Sequence, residues 1–474
     1  MKRVLVSIAV VLMPVLLAAQ DAERPDVLFI AVDDLNDWVG VLGGHPQAKT
    51  PNIDRLAARG ITFTNAHSPS VICNPSRTAL LTGLLPSTSG VYDNWPDWRT
   101  SDAFAGLPTV FRHFRDNGYR TLGAGKIFHA HTFGGVSNFE GLNDPTAWDA
   151  FYPSLTRQLP DAIRPTVIPA NGNPLGTSFD WSVVVAEDMA IGDGQVVGWI
   201  ERQLAAETGS PRFIAAGIYR PHLPWYVPQK YFDMHPLDDI LLPPTIENDL
   251  EDVPEIARGS YLDSTEWHDW IVESGKWAEG VQAYLASTSF ADAMVGRLLD
   301  ALDRTGRADN TIIVLWGDHG FHLGEKERWR KMTLWEESTR VPLIIVAPGV
   351  STPGTRTAEA VSLMDLYPTL TELAGLDTPG HVEGQSLEPL IRDPGAVRDK
   401  PALTTFPYNS HSLRTERYRY TRHADGTEEL YDHETDPNEW KNLAHQTRYD
   451  RLKADLARWF PEVNAEALGE PPDE

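Results

Sequence analysis

Four nearly continuous apolar stretches limit what this chain can fold into. Each has the length of one strand and none alternates between apolar and polar positions; they cover residues 25–32, 212–218, 311–316 and 341–347. Strands of this composition are buried on both faces, as in the parallel sheets of α/β proteins. An amphipathic helical pattern spans residues 281–302. The sequence therefore predicts an α/β fold with buried parallel strands.

Two of these stretches end in acidic residues. Asp33 and Asp34 follow the first, and Asp318 and His319 follow the third. Open α/β sheets bind ligands at the carboxyl ends of their strands. Neighbouring carboxylates repel each other unless a cation binds or water reaches them. A metal site is one interpretation of the two pairs, and a solvated turn at each strand end is the other.

Cys73 is the only cysteine, so no disulfide can form within the chain. Pro75 suits the first turn of a helix, residues 76–81 can continue it, and Gly83 can end it. Cys73 is then expected just ahead of a helix N-terminus, where N–H groups favour an anion and where Arg77 can join them. The simpler interpretation is a small buried apolar residue.

Three loops present further candidates. Gly125 precedes Lys126 and His129, and would let the backbone approach an anion. His222 lies between two prolines that stiffen its loop. Lys331 ends a basic stretch at 325–331 that also contains two arginines, Arg328 and Arg330, which are candidates for substrate contact. Ordinary solvated loops and a structural histidine are the alternatives.

Length and charge restrict the class of protein. A chain of 474 residues exceeds one simple core, so two domains or subdomains are expected. The net charge of −25 argues against nucleic acid or an anionic membrane as a partner. Residues 131–210 resemble long loops decorating the sheet. After proline-rich linkers at 378–401, a hairpin across Asp425 and Gly426 and a closing helix at 448–460 predict a small second unit.

The N-terminus predicts export. Lys2 and Arg3 precede an apolar run at 4–17 and a small-residue cleavage site, which together are typical of a secretory signal peptide at residues 1–19. The run is too short for a membrane anchor, so no span is expected in the mature protein. The predicted location is the periplasm or the exterior.

The string Cys73-Asn-Pro-Ser-Arg77, followed by Leu80, Thr82 and Gly83, resembles the signature of the type I sulfatases. The strings TPNIDRLAARGITFTNAH, GAGKIFH, RPHLPW and GDHG fall in the family's order. Among the family's branches, ICNPSR, GAGKIFH, RPHLPW and GDHG are most similar to the iduronate-2-sulfatase-like enzymes. Leu84 departs from the pattern, because the family often has arginine there.

The resemblance covers residues 25–445 and implies a fold. The family has an alkaline-phosphatase-like α/β sandwich, with a large mixed, mostly parallel sheet, helices on both faces and a small C-terminal antiparallel sheet. We therefore expect a signal peptide at 1–19, a catalytic domain at 20–395 and a C-terminal subdomain at 396–474.

The resemblance also implies a chemistry. In the family, the cysteine at the position of Cys73 is oxidised by a formylglycine-generating enzyme to formylglycine, whose hydrate is the nucleophile. Calcium would be held by the modified Cys73 and by the two acidic pairs, Asp33, Asp34, Asp318 and His319, with Asp318 also accepting a proton. An imidazole suits calcium less well than an oxygen ligand does.

The remaining roles follow position by position. Arg77, Lys126 and Lys331 would neutralise the sulfate, His222 with Lys331 would protonate the leaving alcohol, and His129 would help to release sulfate. The implied substrate is a sulfated carbohydrate. The alternatives are a phosphodiester or phosphonate monoester hydrolase of the same superfamily and a non-catalytic protein that binds sulfated glycans.

Overall fold

The computed structural model describes residues 24–130, 141–258 and 264–469. The predicted signal peptide lies outside these residues and stays a prediction. Within the described ranges, no helix combines the length and the apolar character that crossing a membrane requires.

The strands fall into one large sheet and three small ones. In chain order they are β1 Asp26–Val32, β2 Ile61–His67, β3 Arg120–Gly125, β4 Ala150–Tyr152, β5 Trp181–Val184, β6 Arg212–Ile218, β7 Trp225–Pro228, β8 Thr311–Gly317, β9 His322–Leu323, β10 Trp329–Arg330, β11 Arg340–Val346, β12 Thr355–Thr357, β13 Val361–Ser362, β14 Ala402–Thr405, β15 His411–Arg414, β16 Tyr418–Arg422 and β17 Glu428–Asp432.

The helices connect and cover these strands. In chain order they are α1 Pro51–Ala57, α2 Cys73–Thr82, α3 Pro86–Ser89, α4 Val110–Asp116, α5 Gly192–Ala205, α6 Gln229–Asp233, α7 Glu255–Arg258, α8 Ser264–Glu273, α9 Trp277–Arg304, α10 Glu336–Thr339, α11 Leu366–Leu373, α12 Glu388–Arg392 and α13 Asp450–Ala457.

The large sheet has nine strands in the order β12-β2-β11-β8-β1-β6-β3-β4, with β13 beside β2. Strands β8, β1, β6, β3 and β4 are mutually parallel, and β11 runs antiparallel to both β8 and β2. The mixed, mostly parallel sheet predicted from the resemblance is confirmed. Val32 pairs with Gly317 on one side and Ile218 on the other, so β1, β8 and β6 end at the same level.

The sheet is covered on both faces by apolar clusters. Alternate residues of the fully buried β1 belong to each: Leu28 and Ile30 pack with α1, α5 and α9, whereas Val27 and Phe29 pack with α2, α4 and α11. Both faces exclude water, which explains why these strands are apolar throughout rather than alternating.

The C-terminal unit is an antiparallel sheet in the order β14-β15-β16-β17, covered by α13. The predicted hairpin joins β16 to β17, and Gly426 adopts the left-handed φ of 85° that the turn needs. The predicted antiparallel subdomain is confirmed, while its boundary at residues 395 and 396 stays a prediction.

Buried ion pairs join the two units. Arg419 of β16 contacts Glu336 of α10 and lies 2.5 Å from Glu439, and Arg414 of β15 lies 3.1 Å from Glu336. His433 also contacts Glu439, at 2.9 Å. Breaking one buried partner leaves an uncompensated charge in a dry interior, so the two pairs with Glu336 fix how the C-terminal sheet sits on the larger unit.

Two expectations about local structure are wrong. Cys73 is the first residue of α2 rather than lying ahead of it. The 131–210 stretch contains the 14-residue helix α5 as well as loops. Three glycines lower the helix propensity of α5, but burial of residues such as Val197 and Ile200 against α9 outweighs that cost. Residues 131–140 of this stretch lie outside the described ranges.

Candidate active site

Strand register brings the two acidic pairs together. Because β1 and β8 end at the same level, Asp33 and Asp318 emerge side by side. Asp34 adopts a left-handed φ of 58°, and its N–H donates to Asp318 Oδ1 at 3.0 Å. The first turn of α2 is fixed to the same edge, where the Ser76 hydroxyl donates to the Asp318 carbonyl at 2.5 Å.

Arg77 is fully buried and bridges the strand ends. Its Nε donates to Asp318 Oδ2 at 2.8 Å and its Nη2 to Asp33 Oδ1 at 2.9 Å. Its Nη1 donates to the carbonyls of Lys126 and Ile127 at 2.6 and 2.9 Å. Burial lowers the pKa of Arg77, but the two carboxylates outweigh that effect and raise it. Arg77 therefore positions carboxylates, rather than presenting its guanidinium to a sulfate as the resemblance implies.

Cys73 lies among cationic and imidazole groups. Its Sγ is 3.3 Å from Lys331 Nζ, 3.6 Å from Lys126 Nζ and 3.3 Å from His319 Nε2. Burial raises the pKa of the Cys73 thiol, but the two lysines outweigh it and hold the pKa well below its usual range. The position of Sγ is therefore one that stabilises negative charge on whatever group stands there.

The two lysines also contact the acidic residues. Lys126 Nζ lies 2.5 Å from Asp33 Oδ2, and Lys331 Nζ lies 2.5 Å from Asp34 Oδ1. Burial raises the pKa of both aspartates and the lysines oppose it. All four side chains are buried. Each ammonium group is therefore a buried charge that is paired with a carboxylate and also lies beside Cys73.

Gly125 has a different role from the one predicted. It adopts a left-handed φ of 76°, and a Cβ there would come 2.0 Å from the carbonyl oxygen of Gly217. The glycine is therefore required by close packing of β3 against β6, not by the approach of an anion. This packing fixes the backbone position of the next residue, Lys126.

His319 presents one nitrogen to the site. Its Nδ1 lies 3.0 Å from the Gly320 carbonyl, which can only accept, so Nδ1 carries the proton. Nε2 then offers a lone pair, 3.5 Å from both Asp34 Oδ1 and Asp318 Oδ2. A backbone carbonyl that fixes the tautomer in this way is typical of metal-binding histidines.

These residues fit a divalent cation. Ligand atoms of Asp33, Asp34, Cys73 and His222 lie within 4.8 Å of one another, and so do those of Cys73, Asp318 and His319. Asp33 Oδ2 accepts no hydrogen bond of acceptable geometry, although the Lys126 ammonium is near. Three converging carboxylates match the oxygen donors that calcium prefers.

Asp318 is strongly stabilised as a carboxylate. It accepts from Arg77 and from the N–H groups of Asp34 and His319. Burial raises its pKa, but the buried guanidinium of Arg77 outweighs that effect and holds the pKa well below the usual range. The predicted role of Asp318 as proton acceptor stays a prediction.

The two other predicted histidines lie at the same strand edge. His222 Nδ1 contacts the Leu223 carbonyl at 2.6 Å, and Nε2 lies 3.9 Å from Asp34 Oδ2. His129 is buried at the end of the Lys126 loop. Burial lowers the pKa of His129 well below its usual range, and Lys126 lowers it further, so the ring is neutral.

Tyr219 was missed by the sequence analysis. Its ring lies 5.1 Å from Lys126 Nζ and 4.7 Å from the His222 ring. It directly follows β6, as Asp33 follows β1, and that position was the available signal. Arg328, a predicted substrate contact, is buried and donates to the Arg258 carbonyl, which makes it a structural residue.

The Sulfatase family model matches residues 25–376. The chain belongs to the sulfatase family. A second family model, described as N-sulphoglucosamine sulphohydrolase, C-terminal, matches residues 324–466. Leu84, where the sequence departs from the family pattern, is buried in the apolar cluster beneath α2.

Two relatives are similar to this sulfatase over most of its length. A sulfatase of Formosa agariphila is 38% identical over 460 residues, covering 94% of this chain and 88% of the relative. The iduronate 2-sulfatase of Mus musculus is 30% identical over 486 residues, covering 85% and 86%. The chain is a sulfuric ester hydrolase.

Solved structures share the fold. A phosphonate monoester hydrolase from Silicibacter pomeroyi superposes with a TM-score of 0.73 at 22% identity, covering 92% of this chain and 94% of that one. A structure described as a complex with its substrate D-glucosamine-2-N,6-O-disulfate gives 0.70 at 22% identity, covering 92% and 96%. The fold is the predicted alkaline-phosphatase-like sandwich.

The bridging role of Arg77 predicts the effect of a conservative change. Arg77→Lys keeps the charge but has one nitrogen in place of three, so it cannot hold both carboxylates. We expect kcat/KM on an activated aryl sulfate to fall by about a hundredfold, because displacing reacting groups by about 1 Å has that effect. The melting temperature will show whether the variant is folded.

Arg55→Lys is the matched control, since Arg55 pairs with Asp300 at the surface. It should leave kcat/KM unchanged. Near-normal activity of a folded Arg77→Lys variant would contradict the bridging role.

Proposed function

We propose that this sulfatase hydrolyses sulfate esters of a sulfated glycan, using formylglycine made from Cys73 and a bound calcium ion. The observation that carries the proposal is the surroundings of Cys73. Two lysine ammonium groups and the His319 imidazole lie within 3.6 Å of its Sγ, beside three converging carboxylates.

Charge balance supports a cation at this site. The carboxylates of Asp33, Asp34 and Asp318 are matched by the cations of Arg77, Lys126 and Lys331, all buried; an anionic sulfate ester would add uncompensated negative charge to this dry region. Asp33, Asp34, Asp318, His319 and residue 73 would hold a calcium ion, which would supply the compensating positive charge and act as a Lewis acid.

The modified residue supplies the nucleophile. Formylglycine at position 73 would supply a hydroxyl of its hydrate as the nucleophile, and Asp318 would accept the proton of that hydroxyl, as the resemblance implies. A formylglycine-generating enzyme is therefore a partner in maturation. Lys126 and Lys331 already contact the atom at this position, so they stabilise the charge that develops on the sulfate oxygens. Arg77 contributes by holding Asp33 and Asp318 in place.

His222 is the proposed donor to the leaving alcohol. Its Nδ1 contacts a backbone carbonyl and carries a proton, which leaves Nε2 as the atom that exchanges a proton with the substrate. Asp34 Oδ2, at 3.9 Å, stabilises the protonated ring. Lys331, which contacts the other carboxylate oxygen of Asp34, helps His222 to protonate the leaving alcohol. The neutral His129 takes part in sulfate release.

The substrate class rests on the relatives. Similarity to an iduronate 2-sulfatase over 85% of the chain favours a sulfated sugar. Hydrolysis of phosphodiesters or phosphonate monoesters is the competing function, because the same cationic site would accept those anions. A non-catalytic glycan-binding protein is the third possibility, and it is disfavoured because every catalytic position is filled.

Sulfate release from a panel of sulfated glycans tests the proposal. Protein made together with a formylglycine-generating enzyme should release free sulfate, whereas Cys73→Ala should release none because no nucleophile can form. Phosphodiester and phosphonate esters are measured alongside by kcat/KM. Intact mass shows whether position 73 is modified and whether residues 1–19 have been removed on export.

Sulfate release that survives in Cys73→Ala would contradict the nucleophile. A higher kcat/KM on the phosphorus esters than on every sulfate would favour the competing function. Glycan binding without any product would favour the non-catalytic one.

Metal removal tests the calcium site. Exhaustive chelation should abolish turnover and lower the melting temperature, because the folded state then loses an ion that binds it more tightly than the unfolded chain, and calcium should restore both. Cys73→Ala is the matched control for the melting temperature, since it keeps the two acidic pairs and should still be stabilised by calcium. Restoration by another divalent ion but not by calcium would contradict the assignment.

The leaving-group role of His222 predicts a substrate-dependent loss. In His222→Ala, kcat/KM should fall by about 10²–10⁴-fold on a sugar sulfate, whose alkoxide needs a proton. An activated aryl sulfate needs little protonation and should lose less than about tenfold. Equal losses on both substrates would refute the role.

A further inference from the structure

Arg330 lies beside the site in an unusual backbone conformation. It ends the short strand β10, opposite His322 of β9, and its φ of 75° is left-handed. Residues other than glycine rarely adopt this conformation, and such positions cluster at functional sites. The next residue, Lys331, contacts Cys73 and Asp34.

The guanidinium of Arg330 is supported on one face only. It lies 4.7 Å from the centre of the Trp267 ring, which in turn stacks on Phe179 at 4.9 Å. Among the residues that the structure describes, its side chain donates no hydrogen bond and forms no ion pair. By contrast, the buried arginines Arg77 and Arg212 are paired with carboxylates.

Arg330 lies within the electrostatic field of the site. Burial lowers its pKa, and the negative charges of Asp34 and Cys73 oppose that effect. A guanidinium stays charged under these conditions. It is therefore a partly buried cation near residue 73, and its N–H groups have no hydrogen-bond acceptor among the described residues.

We propose that Arg330 binds a second anionic group of the substrate, next to the sulfate that is cleaved. The stacked face is covered by Trp267, which leaves the N–H edges for a planar two-point contact with an oxyanion. On a glycan that group is a carboxylate or a further sulfate. The inference rests on the proposed function and narrows it to sulfate esters that carry another negative charge.

The test uses four aryl sulfates that differ only in one substituent: none, a carboxylate, a second sulfate or a trimethylammonium group. The wild-type enzyme should favour one or both anionic substrates over the neutral one by about tenfold to a hundredfold in kcat/KM, as expected for hydrogen bonds to charged groups. The cationic substrate should be the poorest. The stronger of the two anionic substrates identifies the group.

Arg330→Gln should abolish the ratio between anionic and neutral substrates, mainly through KM. Arg330→Lys keeps the charge without the two-point geometry, so it should retain only part of the ratio. Arg356→Gln removes an exposed arginine on β12 and should keep the wild-type ratio. Melting temperatures establish that all three variants fold.

The outcomes separate the two proposals. Absence of sulfate release from every ester by the modified wild-type enzyme would overturn the proposed function itself. Release from the neutral ester without any preference for the anionic ones would overturn the role of Arg330 alone. A preference that survives in a folded Arg330→Gln variant would also overturn it.

Discussion

The buried contact of Arg77 with Asp33 and Asp318 is the interaction on which the rest of the site depends. The two carboxylates belong to neighbouring strand ends and would repel each other in a region that excludes water. A single guanidinium lies 2.9 and 2.8 Å from them and also binds the backbone at Lys126. It thereby connects β1, β8 and the loop after β3 to the helix that begins with Cys73. Arginine suits this position because its donors diverge in fixed directions.

The same contact explains why two lysines can approach residue 73. Arg77 compensates Asp33 Oδ1 and Asp318 Oδ2, while Asp33 Oδ2 holds Lys126 and Asp34 Oδ1 holds Lys331. Both ammonium groups therefore lie beside residue 73 with a carboxylate to offset their charge. A sulfate that enters meets cations held in place by the protein, so little reorganisation is needed as charge develops.

The C-terminal sheet contributes to the site through the segment that carries Lys331. Trp335 Nε1 donates to Glu429 of β17 at 2.8 Å, and the N–H of Glu336 donates to Glu439 at 2.9 Å. Arg330 and Lys331 are only a few residues away. The subdomain therefore anchors the loop that contains Lys331 and the proposed second anion contact.

Local patterns were enough to predict the buried strands, the acidic pairs at their ends and the Cys73–Arg77 signature, because each lies within one short stretch of chain and recurs in a known family. Features that depend on residues far apart in the chain appeared only in the folded protein. Strand register placed Asp33 beside Asp318, and it turned Arg77 from an expected sulfate ligand into a bridge between carboxylates. The close approach of the Gly217 carbonyl explains why residue 125 is glycine. Burial against α9 stabilises α5 as a helix despite its three glycines. The sequence offered Arg328 and Arg330 as equal candidates for substrate contact. It could not separate them, because the position of Arg330 depends on Trp267, which is 63 positions away in the chain and is brought near only by folding.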